Sequence, residues 1–336
     1  MKISKHIPEP LVLEEGFYSE KNYTNYEMMN ESAKNWQYNC TYQLKPNAFS
    51  GQIRILQLGS MQLAFDKNSG GLMNDSYSAL GTICIAVIDE SEDKACFHRT
   101  KLQAGDIIFF DNSRPYNYMA NGSNSYVVLT IPTDILGALK PKLLQALNHK
   151  IKDINGDLST LVHEIWNRFA NTSALKRDTK EYLAAETEIL SVLKVLLETQ
   201  TPKMTKLTKG EEIALAVRDQ VYAHMDGTIS ISSLAKQYNV TERTLQNSFQ
   251  SLFGFTPTNF IRQMKLNLVY RDLKHAPEKY ETVSNIARKW GFTHMGHFSR
   301  HYTELFNENP SQTLKRPHLD ENSILQECVE RQEEMY

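Results

Sequence analysis

The sequence predicts an α+β protein: an N-terminal β-barrel or sandwich, a helical connector, and a C-terminal all-helical domain built on two tandem helix-turn-helix units. Three observations predict it. Short apolar or alternating segments separated by turn signals run through residues 1–140. Two apolar stripes with helical spacing follow between 155 and 200. Residues 211–317 then contain an internal repeat.

The β segments are Ile53–Leu58, Met61–Phe65, Ile83–Ile88, Ile107–Phe110 and Tyr126–Ile131. Gly59-Ser60, Ser69-Gly70-Gly71, Gly105-Asp106 and Asn121-Gly122-Ser123 mark turns between them. Short strands with regular turns suit a small barrel or sandwich, which can hold one small ligand inside. In the connector, Leu158, Leu161, Val162, Ile165, Trp166 and Phe169 recur at three and four residues. Leu183, Ile189, Leu190, Leu193, Leu196 and Leu197 do the same on a second helix. These stripes suit packing within the chain or a homodimer interface, and the pattern alone leaves both open. Residues 201–210, polar and basic with Pro202, read as a linker.

The repeat sets Leu234-Ala-Lys-Gln-Tyr-Asn-Val-Thr241 against Ile286-Ala-Arg-Lys-Trp-Gly-Phe-Thr293. Asn239 and Gly291 stand where a tight turn takes a residue tolerant of positive φ. Thr241 and Thr293 are the expected N-caps of the helices that follow. One residue is then inserted in the second copy. After it, Leu245, Phe249, Leu252 and Phe253 correspond to Phe298, Tyr302, Leu305 and Phe306. Both sets follow i, i+4, i+7, i+8, the buried stripe of an amphipathic helix. Thr256-Pro257 and Asn309-Pro310 each open a further helix. Between the units a helix from Thr258 to Lys274 buries Phe260, Ile261, Met264, Leu268 and Leu273, with Arg262, Lys265, Arg271 and Lys274 outside.

The face opposite each stripe identifies the candidate site. It holds Arg243, Gln246, Asn247 and Gln250 in the first unit, and His294, His297, Ser299 and Arg300 in the second. Ordinary solvated helix faces favour Glu and Lys. These are rich in Arg, amide and His groups, and Arg can fork onto guanine and Asn or Gln onto adenine in the major groove. A rigid helix between the units would hold the reading helices one DNA turn apart, ~34 Å.

Composition bounds the alternatives. Hydrophobic residues make up 41% and charged residues 23%, which suits an ordinary globular core. Residues 211–317 carry 13 Lys and Arg against 10 Asp and Glu, a mildly basic block; residues 318–336 carry 1 against 6, an acidic tail. Cys40, Cys84, Cys96 and Cys328 form no CxxC pair, so neither a zinc site nor a dithiol motif is indicated. Met1 to Pro10 lacks the apolar core of a secretory signal, and no run is long enough to span a bilayer. A cytoplasmic location is expected.

Over residues 211–317 the sequence resembles the AraC/XylS family of bacterial transcription regulators. The resemblance rests on Ile286-Ala287, Gly291-Phe292, Phe298, Tyr302 (usually Phe in the family), Phe306 and Asn309-Pro310. Asn307 stands where the family commonly has glycine; Asn tolerates the same left-handed backbone. The resemblance implies base contacts by Arg243, Gln246, Asn247, His294, His297 and Arg300, with Gly296 at a position that often reads bases. It implies promoter DNA and RNA polymerase as partners, an activator role with repression left open, and a cupin-like effector domain at 1–150. The connector is then 151–200, the linker 201–210, the DNA-binding domain 211–317 and the tail 318–336. Within the family, Arg243-Thr-Leu-Gln-Asn247, Leu266-Asn267, Trp290-Gly291-Phe292 and His297-Phe298 are similar to ethanolamine-utilisation regulators.

Leu102-Gln-Ala-Gly105-Asp106-Ile-Ile-Phe-Phe110 resembles the Gly-Asp turn and strand of cupins. Metal-binding cupins add a His-x-His and a later His. Here His98 stands alone, so no metal or other cofactor is expected, and His98 reads as a surface or hydrogen-bonded residue. Arg114, Tyr116 and Tyr118 are candidates for a pocket mouth, with a plain structural role as the alternative. No catalytic motif is present, so the chain is not expected to be an enzyme. The competing class is a helical protein-interaction module that has lost DNA binding.

Overall fold

The computed structural model describes residues 13, 15–24, 26, 29, 40–46, 49–69, 71–92, 94–170, 179–203, 206–225, 229–276 and 281–315. The acidic tail expected at 318–336, Gly70 and Cys328 lie outside these residues. The chain divides into two compact units, Met1–Gln263 and Met264–Tyr336, which are taken in turn.

The first unit opens with twelve described strands: β1 (Tyr18–Tyr23), β2 (Cys40–Gln43), β3 (Gly51–Gln57), β4 (Gln62–Asn68), β5 (Leu72–Ser76), β6 (Thr82–Ser91), β7 (Ala95–Phe97), β8 (Thr100–Leu102), β9 (Asp106–Asp111), β10 (Tyr116–Ala120), β11 (Asn124–Pro132) and β12 (Lys150–Lys152). They form two sheets, ordered β1-β3-β4-β11-β6-β9-β12 and β2-β5-β10-β7-β8, with antiparallel pairing throughout. The expected barrel is therefore two facing sheets rather than a closed cylinder.

Side chains alternate across a strand, and the larger sheet uses both faces. Ile83, Ile85 and Val87 of β6, Ile107 and Phe109 of β9, and Val127, Leu129 and Ile131 of β11 enter one apolar core. Cys84, Ala86 and Ile88, Ile108 and Phe110, and Tyr126 and Val128 enter the other, against the smaller sheet. Burial pushes the Cys84 thiol up to about 12, so it is an apolar filler here rather than a nucleophile.

The first core is closed by helices. After α1 (Lys140–Ala146) come α2 (Asp157–Ala170) and α3 (Thr179–Thr199). Leu158, Val162, Ile165, Trp166 and Phe169 of α2 and Ile189, Leu193, Leu196 and Leu197 of α3 are buried on the sheet. The connector stripes thus pack within the chain. Leu183, counted in the stripe from its spacing, is instead 50% exposed. α3 also fixes a hairpin. Glu186 is buried and accepts from the backbone N–H groups of Ser60 (2.5 Å) and Met61 (2.6 Å) in the four-residue connection between β3 and β4. The Gly-Asp turn forms as expected. Gly105 is left-handed (φ +78°) and the buried Asp106 accepts from Gln103 N, Lys150 Nζ and Lys152 Nζ.

His98 departs from its sequence reading. Its backbone is left-handed (φ +51°), its ring packs edge-on to Phe97, and its Nε2 is buried with no hydrogen-bond partner among the described residues. Burial, with Arg114 and Arg218 adding to it, pushes its pKa down to about 3.

Two outcomes follow from these groups. Glu186→Ala strips both turn N–H groups of their charged acceptor and should cost about 2–3 kcal/mol in urea unfolding; a loss under about 0.5 kcal/mol contradicts this placement. The folded chain refuses at His98 a proton that the unfolded chain takes up near pH 6.5. The stability tied to neutral His98 is therefore complete above that pH and declines as pH falls toward 3. Between pH 7 and 5 the native chain should lose about 2 kcal/mol more than His98→Asn does, and parallel pH profiles would refute this.

Candidate nucleic-acid interface

The helical part of the first unit is α4 (Lys209–Ala223), α5 (Ile231–Gln237), α6 (Glu242–Phe253) and the start of α7 (Pro257–His275). Thr208 caps α4 in a reciprocal box with Glu211. Burial alone would raise the Glu211 carboxyl, but bonds from Lys101 and Thr208 outweigh it and hold it below its usual value. The pair with Lys101 of β8 is one of several contacts that seat these helices on the smaller sheet. Arg99 meets Glu212 at 3.5 Å, Tyr42 Oη donates to Tyr222 Oη at 3.4 Å, and Asn121 Nδ2 donates to Gly254 O at 3.2 Å.

Ser230 caps α5 and Thr241 caps α6, as its position in the repeat requires. Between them the chain reverses at Asn239 (φ +52°), and Val240 N donates to Ala235 O at 3.0 Å. Leu245, Phe249, Leu252 and Phe253 are buried, with Phe249 against Phe253 and Phe260. The opposite face leaves Arg243, Gln246, Asn247 and Gln250 exposed. Gly254 ends α6 in the left-handed region (φ +72°).

The second unit repeats this local geometry. Its elements are the remainder of α7, then α8 (Val283–Lys289), α9 (Met295–Phe306) and α10 (Pro310–Lys315). Thr282 caps α8, the chain reverses at Gly291 (φ +87°), and Phe292 N donates to Ala287 O at 3.0 Å. That bond is the counterpart of Val240 to Ala235. Phe298, Tyr302 and Leu305 are buried, and Tyr270 of α7 lies against Tyr302 and Phe306. Tyr302 Oη and Thr313 Oγ1 share a buried hydrogen bond (2.8 Å) that ties α9 to α10.

His294, His297 and Arg300 are exposed, while Ser299, next to Phe298, is half-buried. Arg300 Nη2 lies 3.4 Å from His297 Nδ1, and its Nε is 3.8 Å from Glu304. Exposed pairs of this kind hold little, so Arg300 is available to an anionic partner. Gly296 is exposed, with open space where a Cβ would stand.

Two expectations are corrected. Thr293 is not the cap of α9. The residue inserted in the second copy moves that place to His294, whose side chain makes no cap bond. Nor is α7 buried on a single side: Leu266, Asn267, Val269 and Tyr270 are buried as well, while Ile261, Arg262, Lys265, Arg271 and Lys274 are half-buried. Burial accordingly lowers the Lys265 ammonium pKa.

Residues 234–316 match the family model described as a helix-turn-helix domain. This part of the chain is a helix-turn-helix domain. Among curated relatives, the probable thc operon regulatory protein of Rhodococcus erythropolis is 26% identical over 206 residues, which cover 55% of this chain and 62% of the relative. The XylDLEGF operon transcriptional activator of Pseudomonas putida is 26% identical over 171 residues, 51% of this chain and 52% of the relative. The chain thus spans about half to three-fifths of these relatives' lengths. Among solved structures, the AraC-like transcriptional activator CuxR overlays with a TM-score of 0.45 at 11% identity, covering 76% of this chain and 96% of that one. Among the described residues, no group of His, Cys, Asp and Glu is arranged to hold a metal, and no helix is long and apolar enough to cross a membrane.

Asn307 ends α9 at φ +55°, where glycine is cheapest. Asn307→Gly should leave the melting temperature within about 2 °C of the native chain, whereas Asn307→Ala should cost about 1 kcal/mol in chemical unfolding. Equal stability of the two variants would show that the left-handed cap is not needed.

Proposed function

We propose that the chain is a sequence-specific DNA-binding transcription regulator of the AraC/XylS type, with two tandem helix-turn-helix units that both read promoter DNA. The observation that carries this is the duplicated turn. Each copy has a left-handed residue, the same backbone bond across the turn, and a following helix that buries a stripe containing aromatic residues and exposes a polar face with one Arg among amide or His side chains. On this reading Arg243, Gln246, Asn247 and Gln250 address one major-groove segment, and His294, His297, Ser299 and Arg300 a second. Gly296 brings no side chain, which leaves the second segment to the histidines and Arg300. One polypeptide then supplies two reading helices without dimerising.

The two-sheet region is, in this reading, a cupin-like sensor of a small molecule. Its smaller sheet seats the first helix-turn-helix unit directly, through Lys101, Asn121 and Tyr42, so a change in the sheet would reach that unit without an intermediary. RNA polymerase is the natural partner of such an activator, in the cytoplasm. The narrower likeness to ethanolamine-utilisation regulators rests on the few residues quoted for it.

Selection of bound sequences from a random duplex library tests the proposal. The native chain should enrich a motif, and Arg243→Ala should relax preference at one base pair at a cost of ~1–3 kcal/mol. A uniform loss on every sequence would make Arg243 a phosphate contact instead. No binding to any duplex at low salt would favour the protein-interaction module.

A further inference from the structure

Between the two sheets lies a small open-mouthed cavity of about 30 Å³. Phe97, Phe110, Tyr116, Tyr118 and Tyr126 supply the ring surfaces of its wall; the rest is aliphatic apart from Asn74. The rings are ordered against one another: Phe97 and Tyr116 stack with centroids 5.9 Å apart, and Tyr118 meets Tyr126 edge-on at 5.4 Å. No charged side chain lines the cavity among the described residues. The Tyr118 hydroxyl is buried and has no hydrogen-bond partner among those residues. Burial raises the Tyr116 and Tyr118 phenol pKa values, so both remain neutral donors.

These features select by chemistry. A carboxylate or ammonium ligand would lose its hydration against a wall that offers no counter-ion. A sugar would bring several hydroxyls to a surface with few polar atoms to receive them. A flat apolar ring, by contrast, suits aromatic walls that favour stacked and edge-on contacts. The cavity is far smaller than ordinary ligand pockets of ~300–1,000 Å³, which favours a single small ring over an extended chain.

We propose that this cavity binds a small uncharged ring compound carrying one hydrogen-bond acceptor, to which Tyr118 Oη donates a hydrogen bond. The inference rests on the sensor reading of the two-sheet region and names the class of molecule sensed. Arg114, a candidate for the mouth by sequence, does not line the cavity; its Nε donates to Asn148 at 3.1 Å.

The test uses the purified full chain with four probes: acetophenone, cyclohexanone, benzoate and glucose. Affinity is read by ligand-observed NMR and by the shift in melting temperature. The two ketones should bind saturably, and benzoate and glucose at least tenfold more weakly. Tyr118→Phe should weaken ketone binding about five- to tenfold. It should also leave the ligand-free chain as stable as before or slightly more so, because it removes an unpaired buried hydroxyl; a purely structural role for Tyr118 would lower stability instead. Ala86→Phe fills the cavity and should abolish ketone binding; if it does not fold, the isosteric Tyr118→Phe still decides. Failure of both ketones to bind, benzoate binding as tightly as acetophenone, or ketone affinity unchanged by Tyr118→Phe overturns the proposal. A gel shift on the same preparation reads DNA binding separately, so its loss would count against the regulator and not against the cavity.

Discussion

Burial of one aromatic stripe on each of α6 and α9 is the constraint on which the helical region depends. Phe249 and Phe253 in one, and Phe298 and Tyr302 in the other, have a single direction in which to leave water. Once they take it, the opposite face is fixed by the 3.6-residue turn, and Arg243 or Arg300 has to face outward. The left-handed residues Asn239 and Gly291 set the angle at which each helix is entered, and Gly254 and Asn307 set where each stops. The polar faces are thus consequences of a core, held by backbone geometry that few residues can adopt. This is why the two copies keep the same turn bond although most side chains around it differ.

In the first unit the same logic acts through strand alternation. β6, β9 and β11 send odd and even residues to different cores, one sealed by α2 and α3 and the other shared with the smaller sheet. The sealed side mixes aliphatic residues with Phe65, Phe109, Trp166, Phe169 and Tyr182. The shared side is aromatic and leaves the cavity. The smaller sheet has a double duty, since Phe97 and Tyr118 line the cavity while Asn121, just past the end of β10, bonds to Gly254 at the end of α6. A wall of the cavity is therefore also the seat of α6.

The sequence shows these features unevenly, for physical reasons. β3, β4, β6, β9 and β11 were legible because Ile, Val, Leu and Phe dominate them. β5 (Leu-Met-Asn-Asp-Ser) and β10 (Tyr-Asn-Tyr-Met-Ala) were not, because they put polar and aromatic groups toward a cavity and break the apolar signature. The sequence marks Tyr116 and Tyr118 as candidates for a pocket mouth or for a plain structural role, and they line the cavity wall. The caps followed from spacing at Thr241 and failed at Thr293, since a one-residue insertion moves a cap without disturbing the stripe behind it. The strongest apolar residues of α7 fall on one side, which makes it read as one-sided in sequence; Asn267 and Tyr270, polar in type, are buried too. His98 gave no sign in sequence of its unpaired nitrogen, which depends on contacts remote along the chain.

The central claim is that two buried stripes aim two polar faces at one duplex. Hydroxyl-radical footprinting of the full chain on an enriched site tests it most directly. The account predicts two protected windows on one face of the DNA, centred about ten base pairs apart. A single window confined to one groove segment, unchanged by loss of the Arg300 side chain, would contradict it.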